Sequence, residues 1–206
     1  MLSYLLLGMT FAFAAAVQPG PFQSYVISQT LSIGWKNTIP VAFAPLLSDV
    51  PIILLVLILL SRIPIGLVLV LQCAGGIFLL YLALGAFNNW RDFYGKNSMQ
   101  NTIGRQTVIK AALVNLLNPN PWLAWSLVMG PLLLKGWQEA PANGLSLLVG
   151  FYTTMILTTL GIMLLFSGAR NLGPRVSRTL VGISAIAMAC FGIYELWSGL
   201  KMVWPS

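Results

Sequence analysis

The sequence predicts an all-α polytopic membrane protein, with six transmembrane helices in two inverted three-helix repeats and helices 1 and 4 discontinuous. Three observations predict it. The 206 residues are 58% hydrophobic and only 7% charged, far below the roughly 25% charged residues of soluble domains. Apolar stretches recur at about the 20 residues a helix needs to cross a bilayer, and runs such as "PIILLVLILL" lack the alternation of a membrane β-barrel. Proline-rich interruptions also fall at corresponding places in the two halves, in "VQPGPF" and in "LNPNPW".

By apolar length the spans run over 3–32 (interrupted), 38–60, 64–89, 107–134 (interrupted), 142–167 and 178–203. The first begins "MLSYLLLGMT", which has no Lys or Arg. It reads as a retained helix, although "AFAAA" supplies small residues of the kind found at signal cleavage sites. The second carries Asp49 between Pro45 and Pro51, and the third contains "CAGGIFLLYLALG", whose small residues suit close helix approach. The polar stretch "NNWRDFYGKNSMQNTIGRQ" then divides the chain. The expected organisation is one transmembrane domain over 1–206, with repeat one at 1–90, a cytoplasmic connection at 91–106 and repeat two at 107–206. The fourth span holds "AALVNLLNPNPWLAW", and the sixth holds "GISAIAMACFG" and Glu195.

Three echoes relate the halves. Gly34-Trp35 with Pro40 matches Gly136-Trp137 with Pro141, Gly85 to Trp90 matches Gly199 to Trp204, and Pro19-Gly20-Pro21 matches Asn118-Pro119-Asn120-Pro121. Three spans per half oblige the second half to enter from the opposite face. An inverted repeat of this kind underlies many secondary transporters.

The formal charge of +7 is explained by topology. Lys36, Arg91, Lys96, Arg105, Lys110, Arg170, Arg175 and Arg178 lie in or beside the odd-numbered connections, against Arg62, Lys135 and Lys201 on the other side. The positive-inside rule then puts both termini outside, and no nucleic-acid partner is needed to account for the basicity. The chain has no histidine and four carboxylates, Asp49, Asp92, Glu139 and Glu195. Histidine acid–base chemistry is thereby excluded, and a nitrogen- or sulfur-rich metal site lacks ligands. Cys73 and Cys190 sit in apolar runs, where a thiol behaves as a small hydrophobe. No phosphate-loop motif is present. No catalytic group, metal or cofactor is expected.

Proline lacks an N–H and crowds the carbonyl four residues back. Pro19 and Pro21 therefore free the carbonyls of Ala15 and Val17, and Pro119 and Pro121 free those of Asn115 and Leu117. Such a break survives in hydrocarbon only inside protein or beside a watery cavity. Matched breaks in two repeats point to a central binding site. Freed carbonyls can hold an ammonium group, and a half-helix N-terminus can hold a carboxylate. A zwitterion needs both. The candidate substrate contacts are Gln18, Pro19, Gly20, Pro21, Asn115, Asn118, Pro119 and Asn120, with Gln23 and Ser48 also polar enough to line a cavity. Interhelical hydrogen bonding is the other role open to these polar groups.

Asp49, near the centre of its span, is costly there and a functional candidate by default. In a dry setting it can carry a proton; it can also pair with a substrate amine or tie helices together. Glu195 is the second ion-coupling candidate, with snorkelling to the outer interface as its alternative.

These residues resemble a known family. "QPGPF", "SIGWKNTIPVAFAPLLSD", "AGGIFLLYLALGAF" and "AALVNLLNPNPWLAW", in this order and over nearly the whole chain, resemble the lysine exporter / homoserine–threonine resistance exporter (LysE/RhtB) family of amino-acid exporters. The resemblance implies a bacterial-type inner-membrane exporter, driven by a proton or other ion gradient and expelling amino acids or related metabolites. Carried across, it points to Pro19, Gly20, Pro21, Asp49, Asn118 and Pro119. The chain departs from the family at Asn120, where a Lys is usual, and at Gln18, where a small residue is more common. Export of a divalent cation or other small solute, or a non-transporting assembly role, are the alternatives. The expected partners are a small-molecule substrate, the coupling ion and the bilayer, and self-association is left open.

Overall fold

The structure, a computed structural model, describes residues 1–59, 65–91, 105–170 and 173–203. Every element among them is helical. Helix α1 (Leu2–Val17) ends before the first proline motif and α2 (Pro21–Ile33) leaves it at an angle of 66°. A short α3 (Trp35–Thr38) and a 3-10 turn (Ile39–Phe43) lead into α4 (Ala44–Leu59), followed by α5 (Ile65–Arg91). Beyond the polar connection come α6 (Arg105–Leu117), α7 (Pro119–Ala124), a π-helical turn (Trp125–Met129) and α8 (Gly130–Glu139). Two long helices, α9 (Pro141–Arg170) and α10 (Pro174–Val203), complete the chain.

The expected all-α, multi-span architecture is observed. Among the described residues four helices are long and apolar enough to cross a bilayer, Trp35–Ile58, Leu69–Arg91, Pro141–Ala169 and Arg175–Lys201, and a fifth crossing results if the bent α1–α2 pair is one span. The crossing expected over 107–134 is divided into α6, α7, the π turn and α8, each too short to span alone. The division has a local cause, since Pro119 cannot donate to the ladder and Asn118 turns extended before it. Most of the connection at 91–106, together with Arg62, Lys96 and Trp204, lies outside the described residues.

Helix α1 packs along α9, α4 against α6, and α5 along α10. The α5–α10 seam depends on two glycines. A Cβ at Gly76 would stand 2.7 Å from the Gly192 carbonyl oxygen, and one at Gly192 would stand 2.9 Å from that of Gly76. The small residues read from "CAGGIF" and "ACFG" thus permit backbone-to-backbone approach, as expected for membrane helices that gain no hydrophobic drive from each other. Arg178 ties one end of this seam by donating from Nε to the Trp90 carbonyl oxygen at 3.1 Å, with its guanidinium 5.0 Å from the Trp90 ring centre.

Buried apolar side chains form two clusters. One surrounds α2, with Tyr25, Val26, Leu82, Ala111, Met163 and Met188. The other surrounds α1 and the π turn, with Ala12, Ala16, Ile52, Trp125, Met129 and Phe151. The broken segments of both halves lie where the clusters meet.

Replacing Gly192 with Val forces the α5–α10 backbones apart. Thermal unfolding in detergent should register a destabilisation of about 1–3 kcal/mol, the usual cost of overpacking, while the same change at Gly85, where a Cβ meets nothing within 4 Å, should leave the midpoint nearly unchanged.

Candidate functional site

Each break is built by the rule that a residue preceding proline avoids the helical region. Gln18, before Pro19, is extended at φ −62°, ψ 124°, and Asn118, before Pro119, matches it at φ −78°, ψ 125°. Gly20 precedes Pro21 and is fully extended at φ −166°, ψ 179°, so α2 starts on a proline at its first position.

The freed backbone groups are capped by side chains in a matching way. Gln23 donates from Nε2 to the Ala16 carbonyl oxygen at 2.9 Å. Trp122 donates from Nε1 to the Leu116 carbonyl oxygen at 2.8 Å. Both capped carbonyls stand three residues before the first proline of their motif, a correspondence the proline rule alone does not supply. At the second break the Asn118 N–H donates to the Asn115 carbonyl oxygen at 3.3 Å, and the Asn118 side-chain oxygen accepts from the Asn120 N–H at 3.0 Å. Asn118 therefore serves as the cap of α7.

Asp49, only 3% exposed, is tethered from two other helices. Asn115 on α6 donates from Nδ2 to Asp49 Oδ1 at 2.9 Å and lies 2.8 Å from Ser48 Oγ, while Tyr152 on α9 donates to Asp49 Oδ2 at 3.3 Å. The Trp125 indole is a further polar neighbour of the carboxyl group. Hydrogen bonds to its oxygens offset part of the cost of burying a carboxylate, and each donor here arrives from a different part of the chain.

A cavity of about 430 Å³ opens between the breaks, within the range of small-molecule sites. Of the residues expected to contact a ligand, Gln18, Pro19, Gly20, Asn115, Asn118 and Asn120 line it, as do Asp49 and Gln23. Pro21 and Pro119 do not; both are buried as the first residues of α2 and α7, so they shape the breaks from behind. Glu195 does not line it either. It lies in α10, 6% exposed, and so does not snorkel to an interface. Ser48 stays behind Asn115.

The apolar wall was not anticipated from the sequence. Phe11, Phe22, Trp125, Met129, Phe151 and Met155 form it, with Trp125 edge-to-face against Phe151 at 5.5 Å between ring centres. Trp125 and Met129 begin and end the π turn, whose extra residue rotates them into the cavity; such turns recur at functional sites. A tryptophan one turn beyond a double proline, in "NPNPWLAW", is the one signal in the sequence that could have indicated this wall. Among the described residues no Lys or Arg side chain lines the cavity, and Asp49 is the single formally charged wall residue.

A bundle of apolar helices with two interrupted segments around a partly open cavity, its largely apolar wall set with a few polar groups, is the architecture of a solute translocator. The family model "LysE type translocator" matches residues 13–199, most of the chain, and the protein belongs to that family. It is accordingly a multi-pass membrane translocator of small solutes, from a family of transporters and not of enzymes. Comparison with curated proteins finds no match, and comparison with solved structures finds none.

Replacing Trp122 with Phe keeps the ring and removes the donor to the Leu116 carbonyl. Leaving that group unsatisfied should cost about 1–3 kcal/mol in detergent unfolding, and an equal loss should follow Gln23→Leu at the first break.

Proposed function

We propose that this protein exports amino acids or related small zwitterions, driven by the proton gradient. The observation that carries the reading is the convergence of both broken segments on one cavity of about 430 Å³ whose single charged wall residue, among the described residues, is Asp49. A zwitterion is matched group by group. Its ammonium takes Asp49, and its carboxylate takes the N-terminus of α2, where Phe22 and Gln23 present backbone N–H groups beside the extended Gly20. Gln18, Asn115, Asn118 and Asn120 supply further polar contacts, and the aromatic and methionine wall accepts an apolar side chain.

Coupling follows from competition. A carboxyl group that accepts either a proton or an ammonium, but not both, exchanges one for the other. Binding of substrate on the cytoplasmic side then expels the proton that Asp49 took up outside. Alternating access is supported by the helix pairings: α1 on α9 and α6 on α4 are equivalent contacts if the halves are inverted copies, and α5 on α10 is then a contact between equivalent helices. The distribution of Lys and Arg supports a bacterial-type inner-membrane location with both termini outside. A divalent cation ranks second as cargo, because such ions take six or more oxygen ligands and the cavity offers one carboxylate.

In vesicles preloaded with an amino-acid panel, an imposed pH difference should drive efflux of at least one member. Asp49→Asn should abolish that efflux with the protein still inserted; undiminished efflux would remove Asp49 from the mechanism. Pro119→Ala should change apparent affinity more than Pro141→Ala, which alters only the start of a continuous helix.

A further inference from the structure

Outside the cavity, the seam between α5 and α10 contains a second buried carboxyl group that the exchange at Asp49 does not use. Glu195 is 6% exposed and its Oε2 has no hydrogen-bond partner. Gln72 on α5, 8% exposed, is in the same condition at Oε1. Register places the two within about one helical turn of each other across the seam. A Cβ at Gly199, one turn beyond Glu195, would stand 3.4 Å from Gln72 Cβ, and a Cβ at Gly76, one turn beyond Gln72, would stand 2.7 Å from Cγ of Leu196. Glu195 shares the buried stripe of Gly192 and Gly199, so it faces α5 across the glycine seam.

Two orphaned acceptor oxygens in one dry seam are each costly as they stand. One hydrogen, bonded to Glu195 Oε2 and donated to Gln72 Oε1 once the two side chains meet across the seam, would satisfy both. A sodium ion is matched less well, since the seam supplies few oxygens and its other neighbours are Cys73, Leu196 and glycine backbone. The titratable or charged groups on the helices packed against α10 are Cys73, Tyr81 and Arg91 on α5, Tyr25 on α2, and Tyr152 and Arg170 on α9. Tyr81 and Arg91 are exposed, Tyr25 donates to the Thr107 carbonyl oxygen and Tyr152 to Asp49. Arg170 is at the far end of α9. Cys73, beside Gly199, is the one in register with Glu195.

The seam also touches the second break. A Cβ at Gly75 would stand 2.6 Å from the Leu117 carbonyl oxygen, the group that Pro121 deprives of its helical donor. A shift of α5 against α10 is therefore felt at the segment bearing Asn118.

We propose that Glu195 and Gln72 form a second proton-binding site, remote from the substrate cavity, which is loaded and emptied as the α5–α10 seam moves during transport. This rests on the exporter reading. Proton uptake forms the Oε2–H bond of Glu195 from the medium on one side, and its release to the other side restores the carboxylate, so no further reactant is needed.

The test has two readouts, one independent of any substrate. In the infrared spectrum of the purified protein at neutral pH, Glu195→Gln should remove a protonated-carboxyl band, and Gln72→Leu should shift that band by removing its acceptor. An unchanged spectrum in Glu195→Gln would overturn the proposal. In proteoliposomes with the membrane potential clamped and a pH difference of about one unit, one proton fewer per cycle should lower the steady-state accumulation ratio of Glu195→Gln about tenfold. Substrate exchange without a gradient should be retained, since the amide donates to Gln72 as the acid does. Loss of the band with an unaltered accumulation ratio would leave a neutral structural acid and overturn proton carriage. Dependence of transport on sodium at constant pH, lost in Glu195→Gln, would assign the site to that ion instead. Should the wild-type protein move no amino acid, the exporter reading fails on that result, while the infrared band still decides the state of Glu195.

Discussion

The structure depends on one constraint: a peptide group in hydrocarbon must have a hydrogen-bond partner within the protein. Pro19, Pro21, Pro119 and Pro121 violate the helical solution to that constraint at two places. Everything around the cavity answers the violation. Gln23 and Trp122 cap the Ala16 and Leu116 carbonyls, Asn118 caps its own half-helix, α9 packs on α1 and α2 beside the first break, and α4 and α5 pack on α6 and α7 beside the second. The broken segments are held at the meeting of two apolar clusters, where packing on either side fixes the bend at 66°.

The same constraint governs Asp49. A lone carboxylate in this setting is expensive, and donors from α6 and α9 converge on it. Those tethers make its chemistry depend on the relation between the halves, because Asn115 and Tyr152 belong to the second half and Asp49 to the first. Any motion of one half against the other alters the hydrogen bonds of the one charged group on the cavity wall. In a translocator, that is the physical link required between conformation and ligand occupancy.

Much of this was legible in the sequence, and the reason is specific. Lipid exposure fixes span length and excludes charge, so composition revealed an all-helical membrane protein before any coordinate. Proline's missing donor is a local property, so the positions of both breaks and the extended residues Gln18 and Asn118 were readable too. Gln18, Pro19, Gly20, Asp49, Asn115, Asn118 and Asn120 were all marked by being polar or helix-breaking where neither is free, and all line one cavity. Pro21 and Pro119, marked by the same chemistry, lie behind the wall as the first residues of their half-helices.

By itself, then, the chain determined its class, its breaks and its rare intramembrane carboxyl groups, because each follows from one residue's local chemistry against a uniform solvent. Only the tertiary arrangement decided that Asp49 belongs to the cavity and Glu195 to a separate seam, that a π turn follows the second break, and that Trp125 and Phe151 face the cavity. Apolar residues carry no mark distinguishing lipid from lumen. Which of two hydrophobic surroundings a tryptophan or a buried acid joins is set by the packing of helices distant in sequence, and that is information the order of residues holds only collectively.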